Sequence, residues 1–163
     1  MKQYYLLLLF FPWFCQAQEN PLDIIKPLEG KTWTAEGTWG DGSMFKQEIT
    51  VSFGLGDQLV IVRSNGFTDT KQSQFGPRNH GVRQYDSAAN QIRFWEFDVF
   101  GQVTEGTVES EGRHLIYRYD YGGTLVTEKG KFRDEKTYDF IVGILEDKEW
   151  KQKFLETQFK AKD

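Results

Sequence analysis

Apolar and polar residues alternate along short stretches of this chain, and turn residues separate those stretches at regular intervals. The clearest stretch is MFKQEITVSF, in which Phe45, Ile49, Val51 and Phe53 share one face and mostly polar residues occupy the other. Because successive side chains of a strand point to opposite sides, this pattern predicts a sheet with one buried face and one solvated face. Turn residues recur after roughly eight to twelve positions, which is typical of antiparallel strands joined by tight turns.

We predict ten strands on this basis, at 32–39, 44–53, 58–66, 80–86, 91–99, 102–109, 113–121, 124–132, 136–144 and 149–159. The last of these also fits helical spacing, but we predict a strand. The longest irregular stretch, 67–79, is expected at one rim. Before the first strand, Asn20 and Pro21 predict a short capped helical turn that Pro27 ends early. We expect this turn to plug one end of the main body.

The number of strands and the lack of covering helices limit the possible architectures. Such a chain hides its apolar face either by closing the sheet on itself or by stacking two sheets. Short, regular turns favour closure, and a barrel of about eight to ten strands has room for one small ligand. We therefore predict an all-β fold: an up-and-down antiparallel β-barrel of about ten strands at 30–163, with a helical plug within the tail at 18–29.

The first residues, MKQYYLLLLFFPWFCQAQ, have the order of a secretory signal. Lys2 precedes an apolar run, and small residues follow it up to Ala17. The run is too short for a stable membrane span, so we predict a signal peptide at 1–17 and an exported product, periplasmic or extracellular. A short membrane anchor is one alternative. Lipidation at Cys15 is another, although bulky residues precede that cysteine where lipoproteins have a small one.

Composition narrows the partners further. The chain has a net charge of −4, which makes nucleic acid and anionic membrane surfaces poor candidates. Aromatic residues make up 16 % of the chain and favour strands. Removal of 1–17 would remove the only cysteine, which excludes disulfides and a thiol nucleophile from the mature chain. We expect no stable membrane span, and a monomer or a homodimer.

Two segments carry a family resemblance. LEGKTWTAEGTWGDGSMF has a Gly-x-Trp motif at Gly37-Thr38-Trp39, and RQYDSAANQIRFWEFDVFGQVTEGTVESEG has a Tyr-Asp turn followed by an aromatic strand and a hairpin. Over most of 28–160 the chain resembles lipocalin-like (calycin) barrels, including families of secreted bacterial proteins. This resemblance implies an internal pocket for a small apolar or amphipathic molecule. The haem-binding nitrobindin branch has a histidine close to its end, whereas the last histidine here is His114, so haem is not expected.

The stretch QIRFWEFDVFG is a strand in which both faces combine aromatic bulk with charge. We predict that Trp95 and Phe97 point inward, although a one-residue change of register would reverse this. The predicted pocket lining comprises Phe45, Arg63, Arg93, Trp95, Phe97, Tyr117, Tyr119 and Phe140. An inward arginine would need a carboxylate or an anionic ligand such as a fatty acid, and an outward arginine would stack equally well on Trp95 or Tyr117.

Catalysis and metal binding have weaker support. Glu96 and Asp98 lie two apart on one strand face, where paired carboxylates can perform acid–base work, but cross-strand ion pairs are the simpler interpretation. His80 and His114 have no second ligand at metal spacing, so we predict no metal or cofactor. The predicted function is the binding of a small apolar or amphipathic molecule in a barrel cavity. The alternatives are a non-haem barrel enzyme, an isomerase or hydrolase using Glu96 and Asp98, and a protein-interaction module with a filled barrel.

Overall fold

The computed structural model describes residues 19–162, which form a closed barrel of ten antiparallel strands in chain order. The strands are β1 (Thr32–Thr38), β2 (Met44–Gly54), β3 (Leu59–Phe67), β4 (Phe75–Asp86), β5 (Gln91–Asp98), β6 (Val103–Glu111), β7 (His114–Tyr121), β8 (Thr124–Phe132), β9 (Thr137–Glu146) and β10 (Glu149–Lys162). Closure is achieved where Thr32 of β1 lies opposite Lys162 of β10. The predicted fold class is confirmed. The signal peptide predicted at 1–17 lies outside the described residues.

Two strands extend three or more residues beyond a predicted end, and the other strand ends agree with the prediction to within two residues. β4 begins at Phe75 rather than at 80, because Phe75 pairs with Phe67 and extends the β3–β4 hairpin. The irregular stretch predicted at 67–79 is therefore limited to a shorter loop. β10 is a strand, as predicted, and continues to Lys162. Two register shifts in its pairing with β9 explain why its alternation is imperfect in the sequence.

A short 3₁₀-helix (Pro21–Leu28) closes one end of the barrel. Asn20 caps it, since its side chain accepts a hydrogen bond from the backbone N–H of Leu22 at 3.0 Å. Leu22, Ile25 and Leu28 are buried in the barrel core, and burial of side chains of this size contributes about 1.5–3 kcal/mol each. The indole N–H of Trp33 donates to the carbonyl of Leu28 at 3.0 Å and ties the helix to β1. The predicted helical plug is confirmed, but Pro27 does not end it, because the helix includes Pro27 and continues to Leu28.

An aromatic cluster fixes the part of the wall made by β9 and β10. The rings of Tyr138 and Phe159 stack with centroids 4.9 Å apart, and Phe140 meets Phe159 edge-on at 5.4 Å. Aromatic pairs at such distances contribute beyond the area that they bury. This part of the wall is consequently a closely packed apolar surface.

Candidate ligand-binding cavity

The barrel encloses a cavity of about 1090 Å³. Its floor includes Leu28 of the N-terminal helix, so the helix end of the barrel is closed. At the opposite end the cavity reaches the loops after β1, β3 and β5 and the end of β7. Residues at this mouth include Trp39, Gln72, Gln102 and Tyr121. Binding pockets commonly measure about 300–1,000 Å³, so the cavity has room for a small organic molecule.

One side of the cavity is mainly apolar. It is formed by β2, β9 and β10, which are near neighbours in the barrel because β1 pairs with both β2 and β10. Its lining side chains include Phe45, Ile49, Val51, Phe140, Val142 and Phe159. The inward face of β2 is the face that alternation predicts to be buried. We call this surface the apolar wall.

The side formed by β3 to β8 carries buried polar groups, and we call it the polar wall. Arg83 on β4 forms an ion pair with Glu96 on β5, and the two side chains are only 6 % and 19 % exposed. The guanidinium lies between the rings of Phe94 and Tyr117, at 5.5 and 5.4 Å from their centroids. Burial lowers the pKa of Arg83, but Tyr117 and Glu96 outweigh that effect and raise it, so Arg83 stays charged.

Gly81 provides the space for this ion pair. It lies opposite Glu96 in the β4–β5 register, with Arg83 two residues further along the same inward face. A Cβ atom at position 81 would overlap both the guanidinium and the carboxylate. The absence of a side chain here lets the pair lie flat against the wall and leaves the cavity open in front of it.

A second carboxylate lies on the same wall. The Tyr119 hydroxyl donates a hydrogen bond to Glu128 at 2.8 Å. Burial raises the pKa of Glu128, the hydrogen bond from Tyr119 lowers it, and the nearby charges of Glu96 and Arg83 raise and lower it in turn; the net direction is upward. Burial, followed by the charge of Glu128, also raises the pKa of Tyr119. An ionised Glu128 is therefore more costly here than an exposed glutamate would be.

Several polar atoms of this wall have no hydrogen-bond partner among the described residues. They are Ser64 Oγ, Asn79 Oδ1, and Nε and Nη1 of Arg83, and all three residues line the cavity. Ser64 and Asn79 lie directly opposite each other across β3 and β4. A buried polar atom without a partner costs about 1–3 kcal/mol, so the cavity has unused capacity for hydrogen bonds.

The structure divides the predicted pocket residues into two groups. Phe45, Tyr117, Tyr119 and Phe140 line the cavity. The remaining residues, Arg63, Arg93, Trp95 and Phe97, are absent from the lining and lie on the outward faces of β3 and β5. The structure does not place these four residues in the lining, and Trp95 and Phe97 point outward rather than inward.

The register of β5 explains this correction. Pairing with β4 places Phe94 and Glu96 on the cavity side, so their sequence neighbours must point out. Outside the barrel, Arg93 lies 5.0 Å from the ring centroid of Trp95, whose indole N–H donates to Glu105 at 3.0 Å. This is the outward stacking that the sequence left open. Phe97 is 47 % exposed.

Glu96 and Asp98 share the inward face of β5 but have separate partners. Asp98 accepts hydrogen bonds from the backbone N–H groups of Phe100 and Gln102 at 2.9 and 2.8 Å, which shapes the β5–β6 turn at the mouth. Glu96 pairs with Arg83.

Within 19–162 no three His, Cys, Asp or Glu side chains lie close enough together to hold a metal ion. None of the helices in this range has the length and hydropathy of a membrane span.

No protein-family model matches the chain, and no curated protein matches it either. The closed antiparallel barrel is compatible with a lipocalin-like fold. Three charged lining residues of the cavity, Arg83, Glu96 and Glu128, are absent from the pocket lining that the sequence predicts.

Proposed function

We propose that this protein is a lipocalin-like (calycin) barrel that binds a small amphipathic molecule in its cavity. The observation that carries the proposal is the division of one cavity into an apolar wall and a polar wall. Ligand sites are typically concave and mostly apolar, with a few buried polar groups that fix orientation. Here those groups are the Arg83–Glu96 pair and the Tyr119–Glu128 pair.

The two walls would divide the work of binding. Apolar ligand surface buried against β2, β9 and β10 contributes about 25 cal/mol per Å², so about 200 Å² of contact would provide about 5 kcal/mol. The polar wall would then select orientation, because a polar ligand atom is satisfied only where it meets a complementary group. The closed floor at Leu28 makes the mouth the entry route within the described barrel.

The other hypotheses have less support. The hypothesis of a protein-interaction module requires a filled barrel, whereas this barrel encloses a cavity of about 1090 Å³. An enzyme using Glu96 and Asp98 has no observation in its favour, because the Asp98 carboxylate is engaged in a turn.

We also propose that the protein acts outside the cytoplasm. The support is the order of charge, apolar run and small residues in the first seventeen positions. Mass spectrometry of the protein recovered from its native host tests this proposal. An N-terminus at Gln18 is expected, and an intact N-terminus at Met1 would contradict it.

A cavity-filling variant tests the binding proposal. Val126 lines the cavity, whereas its neighbour Leu125 is 58 % exposed on the outer surface. We expect Val126→Trp to abolish binding of the neutral fluorescent probe N-phenyl-1-naphthylamine, and Leu125→Trp to bind it like the wild type. Circular dichroism confirms that both variants fold. Equal binding by both folded variants, or no binding by the wild type, would contradict the proposal.

A further inference from the structure

The polar wall has more negative than positive charge. Its charged lining residues are two cations, Arg78 and Arg83, and three carboxylates, Glu96, Asp98 and Glu128. Arg83 and Glu96 form an ion pair and compensate each other. Glu128 has no such partner: among the described residues its one side-chain hydrogen-bond donor is Tyr119. A partly buried carboxylate without a paired opposite charge is costly, and this wall carries one positive charge fewer than negative charges.

The free N–H groups of Arg83 are badly placed to receive an anion. Nε and Nη1 are buried, with the guanidinium between the rings of Phe94 and Tyr117 and beside the space kept open by Gly81. The Glu96 side chain is more exposed than that of Arg83. An anionic group that reached Arg83 would also lie beside the carboxylate of Glu96, and like charges at low dielectric repel strongly.

Hydrogen-bond acceptors continue along the same wall. Asn79 lies two positions before Gly81 on the inward face of β4, and its buried Oδ1 has no donor in the described structure. Ser64 lies opposite Asn79, is 5 % exposed, and its Oγ also lacks a partner. The negative charge of Glu96 contributes to the raised pKa of Glu128, so the two carboxylates lie within electrostatic range of each other. These unpartnered acceptors therefore favour a ligand group that donates hydrogen bonds.

We propose that the ligand is an amphipathic amine, whose ammonium group donates hydrogen bonds to Glu96 and Glu128 while its apolar part lies on β2, β9 and β10. This inference depends on the proposed function and specifies the class of ligand for the same cavity. An ammonium group has three donors and no acceptor, which matches a surface rich in acceptors. Its charge balances the second carboxylate, and charge-assisted hydrogen bonds are the stronger kind.

Three probes of equal chain length separate the head group from the apolar chain. Decylamine, decanol and decanoate would each be titrated into the purified wild-type protein by isothermal titration calorimetry, below their micelle concentrations. Decylamine is expected to bind at least about tenfold more tightly than decanol, which corresponds to one charge-assisted hydrogen bond, and decanoate most weakly.

A matched pair of variants tests the role of Glu128. Glu128→Gln keeps an acceptor for Tyr119 but removes the charge, so it is expected to weaken decylamine binding by about tenfold to a hundredfold and to leave decanol binding unchanged. Glu105→Gln makes the same change on the outer surface, where Glu105 is 61 % exposed, and is expected to bind decylamine like the wild type.

The outcomes distinguish this inference from the proposal beneath it. If decanol binds as tightly as decylamine, or decanoate binds more tightly, the amine inference is wrong. The proposal that the cavity binds an amphipathic molecule is then unaffected. Failure of all three probes to bind overturns both. The order of the three probes on the wild type decides the matter even where a variant fails to fold.

Discussion

The Arg83–Glu96 ion pair makes a strong prediction about stability. Both partners are shielded from water, at 6 % and 19 % side-chain exposure, and the guanidinium lies between two aromatic rings. Removing one partner of a buried pair leaves an uncompensated charge, which typically costs about 3–5 kcal/mol. Replacing both partners with uncharged groups avoids that cost and is often close to neutral. We therefore expect Glu96→Gln and Arg83→Met to be individually severe and jointly mild.

The structure refines these magnitudes. In Glu96→Gln the charge of Arg83 still interacts with Glu128, whose pKa it lowers. We therefore expect a loss of about 3 kcal/mol in the free energy of unfolding. In Arg83→Met two carboxylates remain on one wall without a cation, so the cost should approach about 5 kcal/mol at neutral pH. A domain of this size loses about 3 °C of Tm per kcal/mol, which gives decreases of about 10–15 °C.

The assay is a double-mutant cycle by urea denaturation at pH 7. Free energies of unfolding for the wild type, both single variants and the double variant give the coupling energy of the pair. We expect a double variant less destabilised than Arg83→Met alone. Additive effects of the two single variants would refute the reasoning. So would single variants whose free energies of unfolding lie within about 1 kcal/mol of the wild type, because effects that small are typical of surface substitutions.

Three further predictions concern neighbouring features. Gly81→Ala inserts a methyl group into the ion pair and should lower the free energy of unfolding by about 1–3 kcal/mol, whereas Gly54→Ala, whose Cβ would lie 3.8 Å from its nearest neighbour, should be much milder in the same urea titration. Asn20→Ala removes the acceptor for the N–H of Leu22 and should cost about 1 kcal/mol, measured as a lower urea midpoint; no change would mean that the cap is not stabilising. Burial raises the pKa of Glu128 above the ordinary 4.5, so the folded protein holds that proton more tightly than the unfolded chain, and stability is lost as pH rises through the folded pKa. Glu128→Gln should therefore gain in urea midpoint relative to the wild type between pH 4 and pH 8, and a constant difference would contradict this.

The fold was predictable because local and global signals agree. Alternation in β2 places Phe45, Ile49 and Val51 on one face, and the structure buries that face against the cavity. Turn residues between strands gave the up-and-down order, which the pairing of sequence neighbours confirms. The N-terminal helix was predictable from Asn20 and Pro21, whose capping role is local.

The orientation of β5 was not predictable from its own residues. Each face carries aromatic and charged side chains, so alternation defines two faces without saying which is inside. The decision is made by pairing with β4, where Gly81 lies opposite Glu96. A glycine that makes room for an ion pair has the same sequence appearance as a glycine at an ordinary bend.

Arg83 and Glu128, which are not among the predicted lining residues, differ in how clearly the sequence indicates their orientation. Arg83 shares its face with Gly81, while Val82 lies on the other face and suggests the wrong interior. Glu128 had a usable signal, since Lys129 and Lys131 alternate with it and mark the opposite face as solvated. Glutamates are otherwise expected on the solvent-exposed face of a strand rather than on a partly buried one.

The position of the N-terminal helix has a practical consequence. Asn20 donates a hydrogen bond to the β2–β3 turn, and Lys162 pairs with Thr32 at the start of β1. The two ends of the described chain therefore leave the barrel on the same side, away from the loops around Trp39 and Tyr121. A surface tether or a fused reporter attached at either end of the described chain would leave the mouth of the cavity facing the surrounding solution.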